Sequence, residues 1–170
     1  MAVIEIIQSD LTQLEVDAIV NAAKSTLMGG GGVDGAVHRA AGPQLLSECI
    51  TLGGCRTGEA RITKGYKLKA KFVIHTVGPV WNGGSHNESE LLASCFLKSL
   101  SLAVENNCTS IAFPNISTGI YRFPKELAAD IAIRAVRSFV STNKSIRKVL
   151  FCCFDVENYL IYQRLLTKLS

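Results

Sequence analysis

The sequence has little net charge and few aromatic side chains. Its 170 residues contain 18 lysines and arginines against 14 aspartates and glutamates, and only one tryptophan. The basic residues are scattered, and their one dense group is Lys64, Lys67, Lys69 and Lys71. A nucleic-acid-binding surface is usually larger and more one-sided, so we predict that this group is a solvated turn and strand edge.

Paired cysteines, an export signal and long apolar runs are also missing. None of the six cysteines forms a C-x-x-C pair, which argues against a zinc site and against a disulfide scaffold. We therefore expect free, buried thiols in a reducing cytoplasm. No charged N-terminal segment leads into an apolar run, so no signal peptide is expected. No apolar run approaches the ~20 residues that span a bilayer, so we expect no membrane contact.

Strand-like and helix-like segments alternate along the chain. Strand patterns cover residues 3–7, 16–22, 60–63, 71–77, 110–113 and 148–154, and helical patterns cover 33–41, 44–52, 88–105, 124–140 and 156–169. This alternation predicts an α/β sheet with helices on both faces, in a single domain over residues 1–170. Ligands of such sheets bind beyond the carboxyl ends of strands. Loops leave strands in this way at Asp10, Asn21 and Pro114, and the segment 154–155 is a fourth candidate.

Four consecutive glycines, residues 29–32, are the most informative feature of the sequence. They stand between an apolar strand pattern and a helix pattern, directly before Val33 and Asp34. Such a run is costly to order, and it is typical of places where bare backbone approaches another group. The amides at a helix N-terminus favour a phosphate, although the spacing of a Walker A loop or a dinucleotide fingerprint is missing. We predict a phosphate-bearing ligand, with a purely structural crossing as the alternative; Asp34 suits a catalytic site better than a pure phosphate site.

A second small, hydroxyl-containing loop, residues 117–121, follows the strand pattern at 110–113. Together with the glycine run it suggests a clamp on two phosphates, with Tyr121 adding an aromatic face. Asp10 follows a strand directly; it is either a turn cap or an acceptor for an exocyclic amine such as that of adenine. Phe154 is either an apolar contact for the same base or a core residue.

The histidines give weaker signals. His38 falls four residues after Asp34 on the same helix face, where it either supports the carboxylate or is a structural residue. His75 lies within a strand pattern and is predicted to be a core residue. His86 lies in a polar loop and is predicted to be solvated.

Several motifs resemble those of the macro domain family, over nearly the whole chain. They are Asn21-Ala22-Ala23 followed by residues 29–35, Cys55-x-Thr57-Gly58, His75-Thr76-Val77-Gly78-Pro79, and residues 117–121. Within the family, the chain is similar to the MacroD-type branch and to bacterial O-acetyl-ADP-ribose deacetylases. The resemblance implies a three-layer α/β/α sandwich around a mixed sheet, ADP-ribose as the ligand, and ester hydrolysis on its distal ribose. The implied substrates are O-acetyl-ADP-ribose and mono-ADP-ribose on acidic protein side chains, without a metal or cofactor.

The resemblance also implies roles for individual residues. Asp34 matches the catalytic carboxylate and His38 a supporting residue. Asp10 matches the aspartate that binds the adenine amine, with the Leu11 amide beside it, and Phe154 an aromatic near adenine. The implied ligand-binding residues of the motifs are Asn21, then Gly30, Gly31, Gly32 and Val33 of the first diphosphate loop, then Ser117, Thr118, Gly119, Ile120 and Tyr121 of the second.

Two positions depart from the family pattern. Lys24 stands where the family usually has an asparagine that holds a distal-ribose hydroxyl, and a lysine only donates hydrogen bonds. Lys24 either impairs catalysis, by pairing with Asp34 or weakening it as a base, or steadies negative charge on the ligand. Arg122 stands where the pattern usually has glycine; a positive φ there would strain it by roughly 1–2 kcal/mol.

Three functions remain open at this point. The first is the hydrolase, with Asp34, His38 and Lys24 at the catalytic centre. The second is a module that binds ADP-ribose without turnover, which Lys24 favours. The third, binding of single-stranded RNA or poly-ADP-ribose, has little support from the mild charge and the single tryptophan. We expect a monomer that binds no RNA.

Overall fold

The computed structural model describes residues 2–169, in which a six-stranded mixed sheet lies between two layers of helices. The strand order is β1-β6-β5-β2-β4-β3; only β3 at the edge runs antiparallel to its neighbour. The strands are β1 Val3–Gln8, β2 Ala18–Ala22, β3 Ala60–Lys64, β4 Phe72–Thr76, β5 Ser110–Phe113 and β6 Lys148–Cys153. The helices are α1 Gly32–Ala41, α2 Pro43–Leu52, α3 Glu88–Glu105, α4 Lys125–Thr142 and α5 Val156–Lys168, and a short 3-10 helix spans Leu11–Gln13.

The predicted three-layer α/β/α architecture is confirmed. Successive side chains of β2 point to opposite faces of the sheet: Val20 joins the core under α3, α4 and α5, and Ile19 joins the core under α1 and α2. Because both faces are covered, the central parallel strands are mostly apolar, as the sequence pattern indicated. Asn21 of β2 and His75 of β4 are register partners on the α1 and α2 face.

Helix ends follow local chemistry. Pro43 occupies the first turn of α2, where the missing amide hydrogen costs nothing. Pro124, by contrast, precedes α4 as its N-cap and does not open the helix, since its ψ of 127° is extended. Asp155 caps α5 by accepting a hydrogen bond from the Asn158 amide. Between residues 2 and 169, no helix is both long and apolar enough to cross a membrane.

Glu88 organises the loop that precedes α3. The residue is only 1% exposed, and its carboxylate accepts hydrogen bonds from the backbone amides of Asn82, Gly84 and His86, at 2.8, 3.0 and 2.6 Å. Burial alone would raise the pKa of Glu88, but these amides favour the charged form more strongly and lower the pKa to about 2.

We expect Glu88→Gln to lower the melting temperature at neutral pH, because a side-chain NH₂ group would face one of these amides. A carboxyl group whose pKa falls from 4.5 to about 2 on folding stabilises the protein fully above pH 4.5 and loses this effect as the pH falls toward 2. The difference in melting temperature should therefore shrink over that range. The control is Glu90→Gln at an exposed position of the same turn; a difference for Glu88→Gln that stays constant with pH would contradict the assignment.

Candidate active site

A cavity of about 1240 Å³ opens at the carboxyl ends of β1, β2, β5 and β6. All four loops that the sequence analysis singled out contribute to its wall. Most of the predicted site residues line it: Asp10, Leu11, Lys24, Gly31, Gly32, Val33, Asp34, Ser117, Thr118, Gly119, Ile120, Tyr121 and Phe154. Three predicted residues, Asn21, Gly30 and His38, are not on the wall. Asn21 is buried and His38 is half-buried, whereas Gly30 is exposed.

The glycine run forms the first loop of the cavity, and its conformation needs glycine at specific positions. Gly29 and Gly32 have φ angles of 88° and 56°, in the left-handed region that side chains disfavour. A Cβ on Gly35 would lie 2.5 Å from the carbonyl oxygen of Gly30. The first turn of α1 can therefore lie directly against the loop and present the backbone of Gly31 and Gly32 to the cavity.

The second loop follows β5 and packs against the chain beyond β4. A Cβ on Gly78 would lie 2.1 Å from Ser117 Oγ, so only glycine allows this contact. The loop is joined to the neighbouring segment by a hydrogen bond of 2.8 Å from the Trp81 amide to the Tyr121 carbonyl. Arg122 has a φ of 63°, as the comparison with the family pattern suggested. Its side chain is exposed and is not on the cavity wall.

Asp34 is a buried carboxylate with two unlike oxygens. The residue is 4% exposed, and its Oδ1 accepts a hydrogen bond of 2.9 Å from Asn21 Nδ2. His38 Nε2 lies 3.4 Å from the same oxygen, beyond the usual length of an N–H···O hydrogen bond. Among the residues described, none forms a hydrogen bond with the buried Oδ2. Asp34 also lines the cavity, and Oδ2 is its carboxylate oxygen without a protein partner in residues 2–169.

Lys24 lies next to Asp34 without pairing with it. The position of a Cβ on Gly30 would be 3.1 Å from Lys24 Nζ and 3.3 Å from Asp34 Oδ2, so both groups border the same small space. Within residues 2–169, no ion pair joins Lys24 to Asp34. The ion-pair contact of Asp34 is with His38. The ion pair considered from the sequence is therefore not formed, and the Lys24 side chain is exposed at the mouth of the site.

At the other end of the cavity, the structure distinguishes between the alternative roles that the sequence left open for Asp10 and Phe154. Asp10 is a turn cap: its Oδ1 accepts hydrogen bonds from the amide and hydroxyl of Thr12, at 2.9 and 2.7 Å. It also lines the cavity, so capping does not exclude a ligand contact. Phe154 is 84% exposed, and the core alternative is wrong for it.

Sequence reasoning missed several wall residues. Asn115 is the second residue after β5, and the carboxyl-end rule that found Asp10 could have found it. Arg39 and Lys125 reach the wall from helices, and no local pattern pointed to them; Asn158 also lines it.

Cys152 lines the wall as well, but burial raises its pKa to about 11, which keeps it a weakly nucleophilic thiol at neutral pH. No cluster of histidine, cysteine and acidic side chains in residues 2–169 is arranged to hold a metal ion.

Comparison with known proteins relates this geometry to one family. The family model described as "Macro domain" matches residues 20–132. The chain is 53% identical over 169 residues to an O-acetyl-ADP-ribose deacetylase of Citrobacter rodentium, covering 97% of this chain and 96% of that protein. It is 55% identical over 163 residues to the ADP-ribose glycohydrolase MACROD2 of Xenopus laevis, covering 95% of this chain but 39% of that longer protein.

A solved structure has the same fold. A variant of the Oceanobacillus iheyensis macrodomain, determined with ADPR, superposes with a TM-score of 0.93 at 42% sequence identity. The match covers 96% of this chain and 91% of that one.

Proposed function

The chain belongs to the macro domain family, and from this premise we propose that it is an ADP-ribose-binding hydrolase. Its substrates are O-acetyl-ADP-ribose and mono-ADP-ribose esterified to acidic protein side chains. The observation that carries the proposal is the buried Asp34, at the wall of a cavity bordered by two glycine-containing loops: one of its carboxylate oxygens accepts a hydrogen bond from Asn21, and the other has no partner among the described residues.

The ligand is proposed to lie across the carboxyl ends of the strands. Adenine lies near Asp10 and Phe154, where an acceptor and an exposed aromatic ring stand on the wall. The amides of residues 30–33 and 117–121 surround the diphosphate, as helix N-termini and backbone nests favour anions. The distal ribose then reaches Tyr121 and Asp34.

The chemical step follows from the two oxygens of Asp34. Oδ2 orients a water molecule and takes its proton while the water oxygen attacks the carbonyl carbon of the ester. The bond between that carbon and the ribose oxygen breaks, and the ribose oxygen takes up a proton, giving free ADP-ribose and a carboxylic acid. General-base assistance of this kind contributes about 10²–10⁴-fold to the rate. His38, next to Oδ1, supports the position of the carboxylate.

The direct test is to incubate the protein with O-acetyl-ADP-ribose and follow the release of acetate. A rate well above the uncatalysed reaction is expected, together with release of ADP-ribose from a protein modified on glutamate. A protein that binds ADP-ribose by calorimetry but releases no acetate would refute the hydrolase.

The second candidate function is a binding module without turnover, and the observation that favours it is Lys24. Its ammonium group borders the same space as Asp34 Oδ2. An ammonium group in that space attracts the carboxylate and competes with water for its oxygens. Such a module keeps the cavity and both loops, and therefore binds ADP-ribose, but it does not hydrolyse the ester.

We expect Lys24→Asn to raise the rate of acetate release by about 10-fold, the change that ~1.4 kcal/mol in the barrier produces. The affinity for ADP-ribose should change less. Lys24→Met is the matched variant, because it removes the charge without adding an amide. A higher rate in the asparagine variant alone would show that the amide group is needed. A higher rate in both variants would show that the positive charge of Lys24 slows the reaction. An unchanged or lower rate in both variants would contradict an inhibitory role for Lys24.

The reaction is proposed to take place in the cytoplasm as a single-chain activity. All six cysteines are free and buried, as a reducing compartment allows.

A further inference from the structure

A buried histidine that the proposed reaction does not use lies directly behind the site. His75 is 0% exposed inside β4, opposite Asn21 in the register of β2 and β4. Its Nδ1 lies 3.1 Å from Asn21 Nδ2, and its Nε2 lies 2.9 Å from the Thr63 hydroxyl. Because Asn21 Nδ2 also bonds to Asp34 Oδ1, these contacts form a continuous chain from β3 to the cavity.

The positions of the hydrogens in this chain follow from Asp34. An ionised carboxylate only accepts hydrogen bonds, so Asn21 must turn its NH₂ group toward Asp34. The second N–H of that group points to His75 Nδ1, which therefore accepts. In a neutral ring the hydrogen is then on Nε2, which donates it to Thr63. Burial, and then the neighbouring His38, lower the pKa of His75 to about 3, so the ring is neutral at physiological pH.

We propose that His75 and Thr63 are positioning residues: they fix the tautomer of the ring, the ring fixes the amide of Asn21, and Asn21 holds Asp34 by Oδ1, which leaves Oδ2 free of protein partners in the described part of the chain. This inference rests on the proposed hydrolysis. We call the hydrogen-bonded residues Thr63, His75, Asn21 and Asp34 the relay. Of these four residues, only Asp34 lines the cavity. If the ring carried its hydrogen on Nδ1, two donors would face each other and the Asn21 amide would have to turn away from Asp34.

The competing explanation is that His75 only fills space in the core. Its ring is packed near Cys49, with 3.8 Å between Sγ and Nε2, so replacing it disturbs packing whatever its role. Stability alone cannot separate the two explanations. The test therefore needs variants of similar folding cost that keep different atoms of the ring.

Asparagine and glutamine supply such a pair. The amide oxygen of asparagine can occupy the position of the Nδ1 acceptor, and the longer glutamine places its amide near Nε2. We expect His75→Gln to lower kcat for acetate release roughly 10-fold, with KM and the Kd for ADP-ribose nearly unchanged. His75→Asn should retain kcat within a few-fold. If both variants lose kcat equally, or in proportion to their loss of melting temperature, the relay is refuted.

Thr63 provides an independent second pair. Thr63→Val keeps the shape of the side chain but leaves the Nε2 hydrogen without its acceptor, and Thr63→Ser restores the hydroxyl. We expect kcat to fall in the valine variant and to recover in the serine variant. A valine variant as active as the wild-type protein would overturn the role of Thr63.

Nitrogen NMR of the His75 ring tests the relay without turnover. We expect hydrogen on Nε2 and a bare Nδ1 at neutral pH. Hydrogen on Nδ1 would overturn the relay even in an active enzyme. Wild-type protein with the expected tautomer but no acetate release would instead refute the proposed hydrolysis and leave the relay geometry supported.

Discussion

Replacing Asp34 with asparagine is expected to lower kcat for acetate release from O-acetyl-ADP-ribose by about 10²–10⁴-fold, the usual contribution of a general base. The substitution keeps the shape of the side chain and an oxygen for Asn21 Nδ2, but removes the negative charge that accepts the proton of water. Because the two loops and the Asp10 end of the cavity are untouched, the Kd for ADP-ribose should stay within a few-fold. Acetate release and calorimetry on the same samples measure both quantities.

Asp130→Asn is the matched control for this substitution. Asp130 lies on α4 and forms an ion pair with Arg134 at 3.0 Å on the protein surface. The same change of charge there should leave kcat and Kd unaltered. Full activity in the Asp34 variant would show that another group activates the water. A parallel loss of binding and turnover would show that Asp34 is a binding residue.

Replacing Gly35 with alanine is expected to weaken both the fold and the ligand site. Its new Cβ would stand 2.5 Å from the Gly30 carbonyl oxygen, a backbone atom that cannot rotate away. Helix α1 or the glycine loop must then move, at a cost of about 1–3 kcal/mol. Movement of the loop amides should raise the Kd for ADP-ribose by roughly 10-fold, which corresponds to ~1.4 kcal/mol.

Gly31→Ala and Gly119→Ala separate this effect from a general effect of adding a methyl group. A Cβ at either position meets no atom within 4 Å, and neither residue has a positive φ. Both variants should keep the melting temperature of the wild-type protein. A Gly35 variant that also kept its melting temperature and its affinity would show that the loop and α1 are less tightly coupled than their contact suggests.

Most of the fold could be predicted because its determinants are local. Strand and helix patterns alternate in sequence, and punctuation such as Gly42-Pro43 marks helix boundaries without tertiary information. The mixed character of the sheet came only from the resemblance to a family, because pairing of β3 with β4 depends on contacts that no local pattern encodes.

The site was predictable where its residues follow strands and unpredictable where it depends on register. Asp10 and residues 117–121 lie in loops at the carboxyl ends of strands, and Asp34 lies in the first turn of α1. The structure places all of them on one cavity. The burial of Asn21 behind Asp34 follows from the pairing of β2 with β4. His75 was correctly predicted to be a core residue, but its contact with Asn21 joins residues 54 positions apart in sequence.

Lys24 shows a different limit. Its sequence position identified it as a departure from the family pattern, but the direction of a long, flexible side chain is not encoded locally. The structure places its ammonium group beside the space that Asp34 borders, without an ion pair.

A crystal structure of the Asp34→Asn variant soaked with O-acetyl-ADP-ribose would show where the nucleotide binds. We expect the diphosphate between residues 30–33 and 117–121 within hydrogen-bond distance of their amides, adenine beside Asp10, and the ester next to residue 34. A nucleotide bound outside this cavity, or bound with its distal ribose pointing away from residue 34, would contradict the proposed binding mode.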